Sequence, residues 1–460
     1  MAYQSINPYN GKVLQSFDTI TDDELEAKIE VAEACFETWQ NTSLEERGAI
    51  LAKAASLMKA QMDKYAHPVT LEMGKPLVQA RGEVTLSADI IAYYGTHGAE
   101  FLAPVTIDTR TGDAYIESHP LGILFGVQPW NFPYYQLSRF AAPNLMAGNV
   151  VMVKHSGGVP QCAIAFEQLW RDAGAPEGAY TNLLVSHDQI DGIIADPRIK
   201  GVAFTGSVEA GRGIAQKAGK NLKKSTMELG GSDPFIVLED ADLNQAVKWA
   251  VAAKMNNTGQ SCIAGKRFIV VDALADAFLE KFKTALSALE PGDPMDAATT
   301  LAPLSSEGAL VNLVEQVQKA VEAGAKLVIG GNRIDRLGAF MQPTILSDIK
   351  PENPAYDEEF FGPVALFFRV KNEDEAIALA NDSQFGLGAS IYTQDEQRGR
   401  RVASRINSGM VFVNRPTSSS PELPFGGVMN SGYGRELSEL GIQEFVNKKL
   451  ICLASKPKSA

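Results

Sequence analysis

The sequence predicts an α/β fold built on doubly wound parallel sheets, and three observations carry that expectation. Short continuous apolar runs at 123–127, 150–153, 180–185 and 201–204 alternate with stretches of helical periodicity. Strands that are buried on both faces and joined by crossover helices have this pattern. A second series follows, with strands at 364–370 and 389–392 around a helix at 373–380. At 460 residues the chain has length for two or three domains with proper cores.

Composition narrows the function classes. Apolar content of 45% and charged content of 21% are those of a globular protein. A net charge of −13 argues against general binding to nucleic acid or to an anionic membrane surface. No apolar run approaches the roughly 20 residues of a bilayer span. The first thirty residues carry acids and no signal-peptide apolar core. The four cysteines, Cys35, Cys162, Cys262 and Cys452, have no metal-ligand spacing, so no metal site is expected and a reduced, cytoplasmic location fits.

Along the chain, Asn7-Pro8-Tyr9-Asn10-Gly11 reads as a turn between two short strands. Residues 22–39 form an amphipathic helix with Leu25, Ile29, Ala32, Phe36 and Trp39 on one side and Cys35 as a packing residue. Ser43-Leu44-Glu45-Glu46 is a capping box opening the next helix, and helical pattern continues to about His97. Residues 105–118 alternate around Thr111-Gly112-Asp113 as a hairpin. A helix at 134–146 joins the first two core strands, and further helices separate the others. A helix at 309–323 precedes a strand and turn at 326–331, a strand at 411–414 follows, and 448–454 is a final strand in which Cys452 packs. The segment 455–460 looks like a loose tail.

In a doubly wound sheet, ligands bind beyond the carboxyl ends of the strands. The segments at those ends are 128–133, 154–157 and 205–211. No Gly-x-Gly-x-x-Gly fingerprint follows any of the strands. Phe204-Thr205-Gly206-Ser207 is a weaker form, in which Gly206 permits close backbone approach, Ser207 offers a hydroxyl and a helix N-terminus follows. The chemistry centres on Asn257-Thr258-Gly259-Gln260-Ser261-Cys262, a polar turn between an apolar helix at 246–255 and a strand at 268–271. A cysteine on a loop between rigid elements is a candidate nucleophile. Glu228, in Met227-Glu228-Leu229-Gly230-Gly231, is the candidate base.

Six motifs occur together. They are Pro129-Trp130-Asn131-Phe132-Pro133, Phe204-Thr205-Gly206-Ser207, Glu228-Leu229-Gly230-Gly231, Gly259-Gln260-Ser261-Cys262, Glu359-Phe360-Phe361-Gly362-Pro363, and Pro424-Phe425-Gly426-Gly427 with Ser431-Gly432-Tyr433-Gly434-Arg435-Glu436. In order and spacing, over essentially the whole chain, they resemble the NAD(P)-dependent aldehyde dehydrogenase superfamily. The resemblance implies a Rossmann-like cofactor domain (1–103 and 121–231), an α/β catalytic domain (232–440) and a small β oligomerisation element (104–120 and 441–460), with a homodimer or homotetramer expected. It implies that Cys262 attacks the aldehyde carbon, that Asn131 and the Cys262 N–H hold the oxyanion, and that Glu228 activates the water that hydrolyses the thioester. It also implies cofactor contacts from Trp130, Lys154, Gly206, Ser207, Leu229, Glu359 and Phe361.

The chain departs from the family pattern in three informative places. NAD-preferring members often carry Glu three residues after the lysine of Lys154-His155-Ser156-Gly157. Gly157 stands there, so nothing repels a 2′-phosphate, and Lys154 with His155 or Ser156 is placed to hold one. NADP is therefore the expected cofactor, with NAD as the alternative. Ala264 replaces a second, redox-active cysteine found in some relatives. Arg139, eight residues after Asn131, matches the arginine of succinate-semialdehyde dehydrogenases, a natural clamp for a carboxylate. Ser419 matches a channel serine of the same subfamily, with Tyr135 and Gln136 beside it, whereas the subfamily's second arginine position is Asn256. Expected is oxidation of succinate semialdehyde. The competing readings are another aldehyde (glutarate semialdehyde or one without a carboxylate), a CoA-acylating dehydrogenase, and a non-catalytic structural or binding protein on the same fold.

Overall fold

The computed structural model describes residues 3–110 and 112–454. Thr111, at the expected hairpin tip, and the expected tail at 455–460 lie outside the described residues. Both N-terminal strands, Tyr3–Ile6 and Val13–Phe17, pair antiparallel across the Asn7–Gly11 turn. The helix Asp22–Trp39 is as expected, and Ser43 caps Leu44–Ala60 in a reciprocal box with Glu46. Two further helices, Met62–Met73 and Leu77–Phe101, lead to the first core strand region.

Six strands form the first sheet, in the spatial order Gly432–Tyr433, Lys224–Glu228, Ile199–Thr205, Ile123–Gln128, Val150–His155, Tyr180–Asn182. All neighbours are parallel except Gly432–Tyr433, which runs antiparallel to Met227 and Glu228. From Ile123–Gln128 the chain winds one way through 150–155 and 180–182, then returns to build 199–205 and 224–228 on the other side. The direction reverses between Ile123–Gln128 and Ile199–Thr205, so a crevice opens beyond Gln128 and Thr205. The strand expected at 180–185 ends at Asn182. Beyond it the carbonyls of Leu184 and Val185 are taken by Ile20 N–H and the Tyr3 hydroxyl, which draws the chain off the sheet.

Seven strands form the second sheet, in the order Lys326–Ile329, Thr344–Ser347, Val364–Val370, Gly265–Val271, Asp233–Val237, Gly388–Tyr392, Met410–Val413. It too is doubly wound, with only Lys326–Ile329 antiparallel. Its central strands are buried at every position of Gly265–Val271 and Asp233–Val237. A boundary at 440 does not follow the pairing, because residues 432–433 belong to the first sheet.

A third, three-stranded antiparallel sheet joins Val446–Ala454, Gly112–Pro120 and Val105–Ile107. Val105, Ile107, Leu450 and Leu453 are exposed on it. Cys452 is exposed as well, contrary to the packing role expected of it, because no described residue covers that part of the strand. No helix among the described residues is long and apolar enough to cross a membrane.

Candidate active site

The nucleophile loop lies between the helix Leu243–Met255 and the strand Gly265–Val271, and its backbone is unusual. Asn257, Thr258 and Gly259 all have left-handed conformations, with φ of 53°, 54° and 76°. For a β-branched residue such as Thr258 this conformation is costly, of the order of 1–2 kcal/mol. Only glycine fits at 259, because a Cβ there would lie 2.1 Å from the Gly362 carbonyl oxygen. The strain persists because hydrogen bonds overdetermine the loop. Asn257 N–H donates to the Gln79 side chain (2.8 Å), and Gln260 Oε1 accepts from Ser305 N–H (2.8 Å). Asn257 Nδ2 donates to the carbonyls of Asn131 (2.9 Å) and Gln260 (3.1 Å).

Cys262 follows this loop, half-buried and free of any disulfide. Burial pushes its thiol up to about 12, while Lys266 and Arg139 oppose the rise. Lys266 is fully buried. Its ammonium donates to the carbonyls of Ser261 (2.9 Å) and Cys262 (2.6 Å) and pairs with Glu359 at 3.0 Å. Glu359 in turn accepts from Gly231 N–H at 3.1 Å. One lysine thus ties the nucleophile's main chain to an acid on the cofactor side.

Asn131 sits beyond Ile123–Gln128, at the reversal point of the first sheet. Its Oδ1 accepts from Gln136 Nε2 (2.9 Å), which fixes the amide orientation, and its Nδ2 donates to the Gln260 carbonyl (3.1 Å) with a second hydrogen to spare. The Cys262 N–H donates to no protein group among the described residues. Both are donors of the kind an oxyanion requires.

Cys262 and Gln136 line two cavities at once. One, of about 260 Å³, is walled by Trp130, Asn131, Gly206, Ser207, Leu229, Glu359 and Phe361 with their neighbours. Trp130 and Phe361 meet edge to face at 5.8 Å. Ser207 caps the helix Val208–Lys220, so the N-terminus of that helix opens beside this cavity. The other, of about 230 Å³, is walled by Phe132, Tyr135, Arg139, Asn256, Thr417, Ser418, Ser419 and Phe425 with others. Cys262 thus stands where two cavities meet, a cleft at the reversal point of the first sheet and a channel on its other side.

Within the channel the Tyr135 and Ser419 hydroxyls are hydrogen-bonded at 2.7 Å. Arg139 donates to the Tyr135 hydroxyl (3.1 Å) and to Thr205 Oγ1 (3.3 Å), and it forms a buried ion pair with Glu436. Its guanidinium also lies over the rings of Tyr135 and Phe425. Burial works against its charge, but Glu436 raises it above the ordinary arginine value.

Glu228 ends its strand just before Leu229 and Gly230, yet its carboxyl lines neither cavity. It is buried, and neither oxygen has a hydrogen-bond partner among the described residues. Burial raises it well above the usual carboxylate range, with Arg139 opposing and Glu436 adding to the rise.

Lys154, His155, Ser156 and Gly157 lie at the end of the neighbouring strand, outside the cavity that Trp130 lines. Lys154 is 6% exposed, and among the described residues its ammonium meets only the His155 carbonyl (3.4 Å) and the Tyr3 ring (5.6 Å). A buried ammonium without a carboxylate partner suits an anionic ligand. His155 does not share this arrangement. Its ring is buried, bonds through Nδ1 to the Gln128 carbonyl (3.1 Å), and is pushed down to about 4 by burial. It therefore stays neutral and locks two strand ends together. Gly157 has space, since a Cβ there would meet only Tyr3 at 3.6 Å. Among the described residues no group of three or more His, Cys, Asp or Glu is placed to hold a metal ion.

Sequence reasoning did not single out Lys266, Asn257 or Gln260, although the last two stand in a quoted stretch. It also passed over Arg415, whose guanidinium donates to Ser418 Oγ (2.9 Å) beside the channel. A lysine four residues after the nucleophile was the available signal for Lys266, but its burial was not visible.

A cysteine at the junction of two cavities, one of them at the switch point of a doubly wound sheet, with an amide donor fixed beside it, is the arrangement of a thiol-dependent oxidoreductase. The chain belongs to the aldehyde dehydrogenase family, whose model matches residues 1–451. A succinate-semialdehyde dehydrogenase (NADP(+)) of Deinococcus radiodurans is 50% identical over 98% of this chain and 94% of its own length. Succinate-semialdehyde dehydrogenase (NADP(+)) 1 of Mycobacterium tuberculosis is 44% identical over 99% of this chain and 100% of its own. The crystal structure of succinic semialdehyde dehydrogenase from Streptococcus pyogenes in complex with NADP+ superposes with a TM-score of 0.97. It is 46% identical and covers 99% of this chain and 100% of that one.

Proposed function

We propose that the protein oxidises succinate semialdehyde to succinate with NADP. The observation that carries this reading is the channel on the far side of Cys262, where Arg139, Tyr135 and Ser419 form a connected polar group in a wall that also carries Leu86, Phe132, Ile263 and Phe425. Full-length likeness to succinate-semialdehyde dehydrogenases supports it.

In this reading Cys262 Sγ adds to the aldehyde carbon and forms a thiohemiacetal. Asn131 Nδ2 and the Cys262 N–H hold the oxygen as charge develops on it. Trp130, Gly206, Ser207, Leu229, Glu359 and Phe361 hold the nicotinamide dinucleotide, which supplies the hydride acceptor. Lys154 and Ser156 take its 2′-phosphate. The thioester on Cys262 is hydrolysed by water that Glu228 deprotonates, which requires the carboxyl to turn from its buried position towards the thioester. The units 1–103 with 121–231, 232–440, and 104–120 with 441–460 serve as cofactor, catalytic and oligomerisation parts. Gly432 and Tyr433 extend the cofactor sheet. The exposed apolar residues of the third sheet suit burial against a second copy, in a cytoplasmic homodimer or homotetramer.

Substrate class is tested by comparing initial rates with succinate semialdehyde and hexanal. A kcat/KM at least ~100-fold higher for the carboxylate substrate, about 2.7 kcal/mol, is expected. Arg139 cannot be removed without stranding Glu436, so Ser419→Ala and Tyr135→Phe are the cleaner variants. Each is expected to raise KM for succinate semialdehyde by roughly 10-fold, the value of one hydrogen bond to a charged group, and to leave hexanal unchanged. Equal effects on both aldehydes would overturn the carboxylate assignment.

Cofactor choice is tested at Gly157. Gly157→Glu introduces a carboxylate three residues after Lys154, at a position where a Cβ makes only ordinary contact with Tyr3. It is expected to cut kcat/KM for NADP by about 100-fold through charge repulsion while sparing NAD. An unchanged NADP/NAD ratio would move the 2′-phosphate elsewhere.

A further inference from the structure

The buried pair Lys75 and Glu83 has no part in the chemistry described above, and it lies against the segment that carries Asn131. Lys75 belongs to the link between the helices Met62–Met73 and Leu77–Phe101, and Glu83 to the second of them. Their side chains are each 1% exposed and form an ion pair. Lys75 Nζ also donates to the main-chain carbonyl of Asn131 (2.9 Å) and lies 3.6 Å from the centre of the Phe132 ring. The other oxygen of Glu83, Oε1, accepts from the N–H groups of Tyr134 (2.8 Å) and Tyr135 (3.3 Å). These belong to the first turn of the helix Pro133–Ala147, whose own cap position, Phe132, offers no side-chain acceptor. A carboxylate at a helix N-terminus satisfies its free N–H groups and its dipole.

We propose that Lys75 and Glu83 are positioning residues for the oxyanion donor. They pin the main chain on both sides of the Asn131 side chain, Lys75 at the Asn131 carbonyl and Glu83 at the first turn that follows. The same carbonyl also accepts from Asn257 Nδ2, whose second bond goes to the Gln260 carbonyl, the acceptor of Asn131 Nδ2. Asn131 is therefore held against the nucleophile loop from one side and against Lys75 from the other. The pair is buried from bulk solvent, so its bonds are not readily replaced. Neither residue lines either cavity, and neither touches substrate or cofactor. A buried ion pair is poor evidence of stability as such, because desolvation offsets its attraction. What it supplies here is geometry. A displacement of about 1 Å in a catalytic group costs up to about 100-fold in rate.

The inference rests on Asn131 being the oxyanion donor, and a double-mutant cycle separates the two claims. Four forms are compared for kcat and KM with succinate semialdehyde: the unaltered protein, K75M/E83Q, N131A, and the three changes together. The paired change leaves no buried charge alone, and the glutamine oxygen still accepts from the first turn of the helix. K75M/E83Q is expected to lower kcat by about 30-fold with KM within about threefold, and to lower it less than threefold once N131A is present. K75R, which restores a cationic donor, is expected to recover most of the loss. Equal losses with and without Asn131 would overturn the positioning role and leave a general effect on the fold. An N131A variant with unchanged kcat would instead remove the oxyanion reading itself. Should K75M/E83Q fail to fold, K75M/E83M, which also leaves no buried charge alone, enters the same cycle under the same criterion.

Discussion

Replacing Cys262 by alanine is expected to lower kcat/KM for aldehyde oxidation by about 10⁵-fold or more, some 7 kcal/mol, because no other group in either cavity forms the covalent intermediate. The change removes one half-buried sulfur from a loop held by Asn257, Gln260 and Lys266. The thermal midpoint should therefore move little, and NADPH binding, read by fluorescence titration, should persist. Retained turnover with normal binding would place the nucleophile elsewhere.

The same thiol gives a pH test of its surroundings. In the ligand-free protein burial pushes it up to about 12, so at neutral pH only a small fraction is thiolate. Well below its pKa the thiolate fraction grows tenfold per pH unit, and alkylation by iodoacetamide should quicken by roughly that factor per unit between pH 7 and 9. A rate already level at pH 7 would mean that Lys266 and Arg139 outweigh burial.

The strands and the site were legible in the sequence to different degrees, for physical reasons. Runs such as 123–127 and 150–153 are apolar at every position because both faces of a parallel strand are buried, so the signal is local. Asn131 and Arg139 stand on a turn and a helix that follow such a strand, Cys262 on a loop that precedes one, and the winding of the sheets brings them together. What a side chain meets across the fold is not local. Lys75 and Lys266 carry no sign of their burial in the sequence, since spacing does not report it. The Arg139–Glu436 pair joins residues about two-thirds of the chain apart. Cys452 looks like core because its neighbours are apolar, yet the sheet that carries it has an uncovered face. His155 shares a strand end with Lys154, but alternation turns its ring inward towards Gln128.

Glu228→Gln separates the two halves of the reaction and carries the second large effect. The glutamine keeps the size of the side chain and removes a carboxyl that, with both oxygens unpartnered, contributes no hydrogen bond to the fold. If Glu228 deprotonates the hydrolytic water, the first turnover survives and the thioester accumulates. Rapid mixing should show one NADPH released per active site, then steady turnover reduced by 10²- to 10³-fold, within the usual range for losing a general base. The pH profile follows from the sign of its shift. Burial favours the protonated, inactive form well above the ordinary carboxylate range. Steady-state kcat should therefore climb with pH over a range above that of an ordinary carboxylate in the unaltered protein, and that limb should vanish in the glutamine variant. Loss of the initial burst would assign Glu228 to thiol activation, before the thioester. An unchanged steady rate would fit the observed geometry in another way, with a carboxyl that stays behind Leu229 and Gly230 beside Arg139 and Glu436 and sets the field of the channel while water is activated elsewhere.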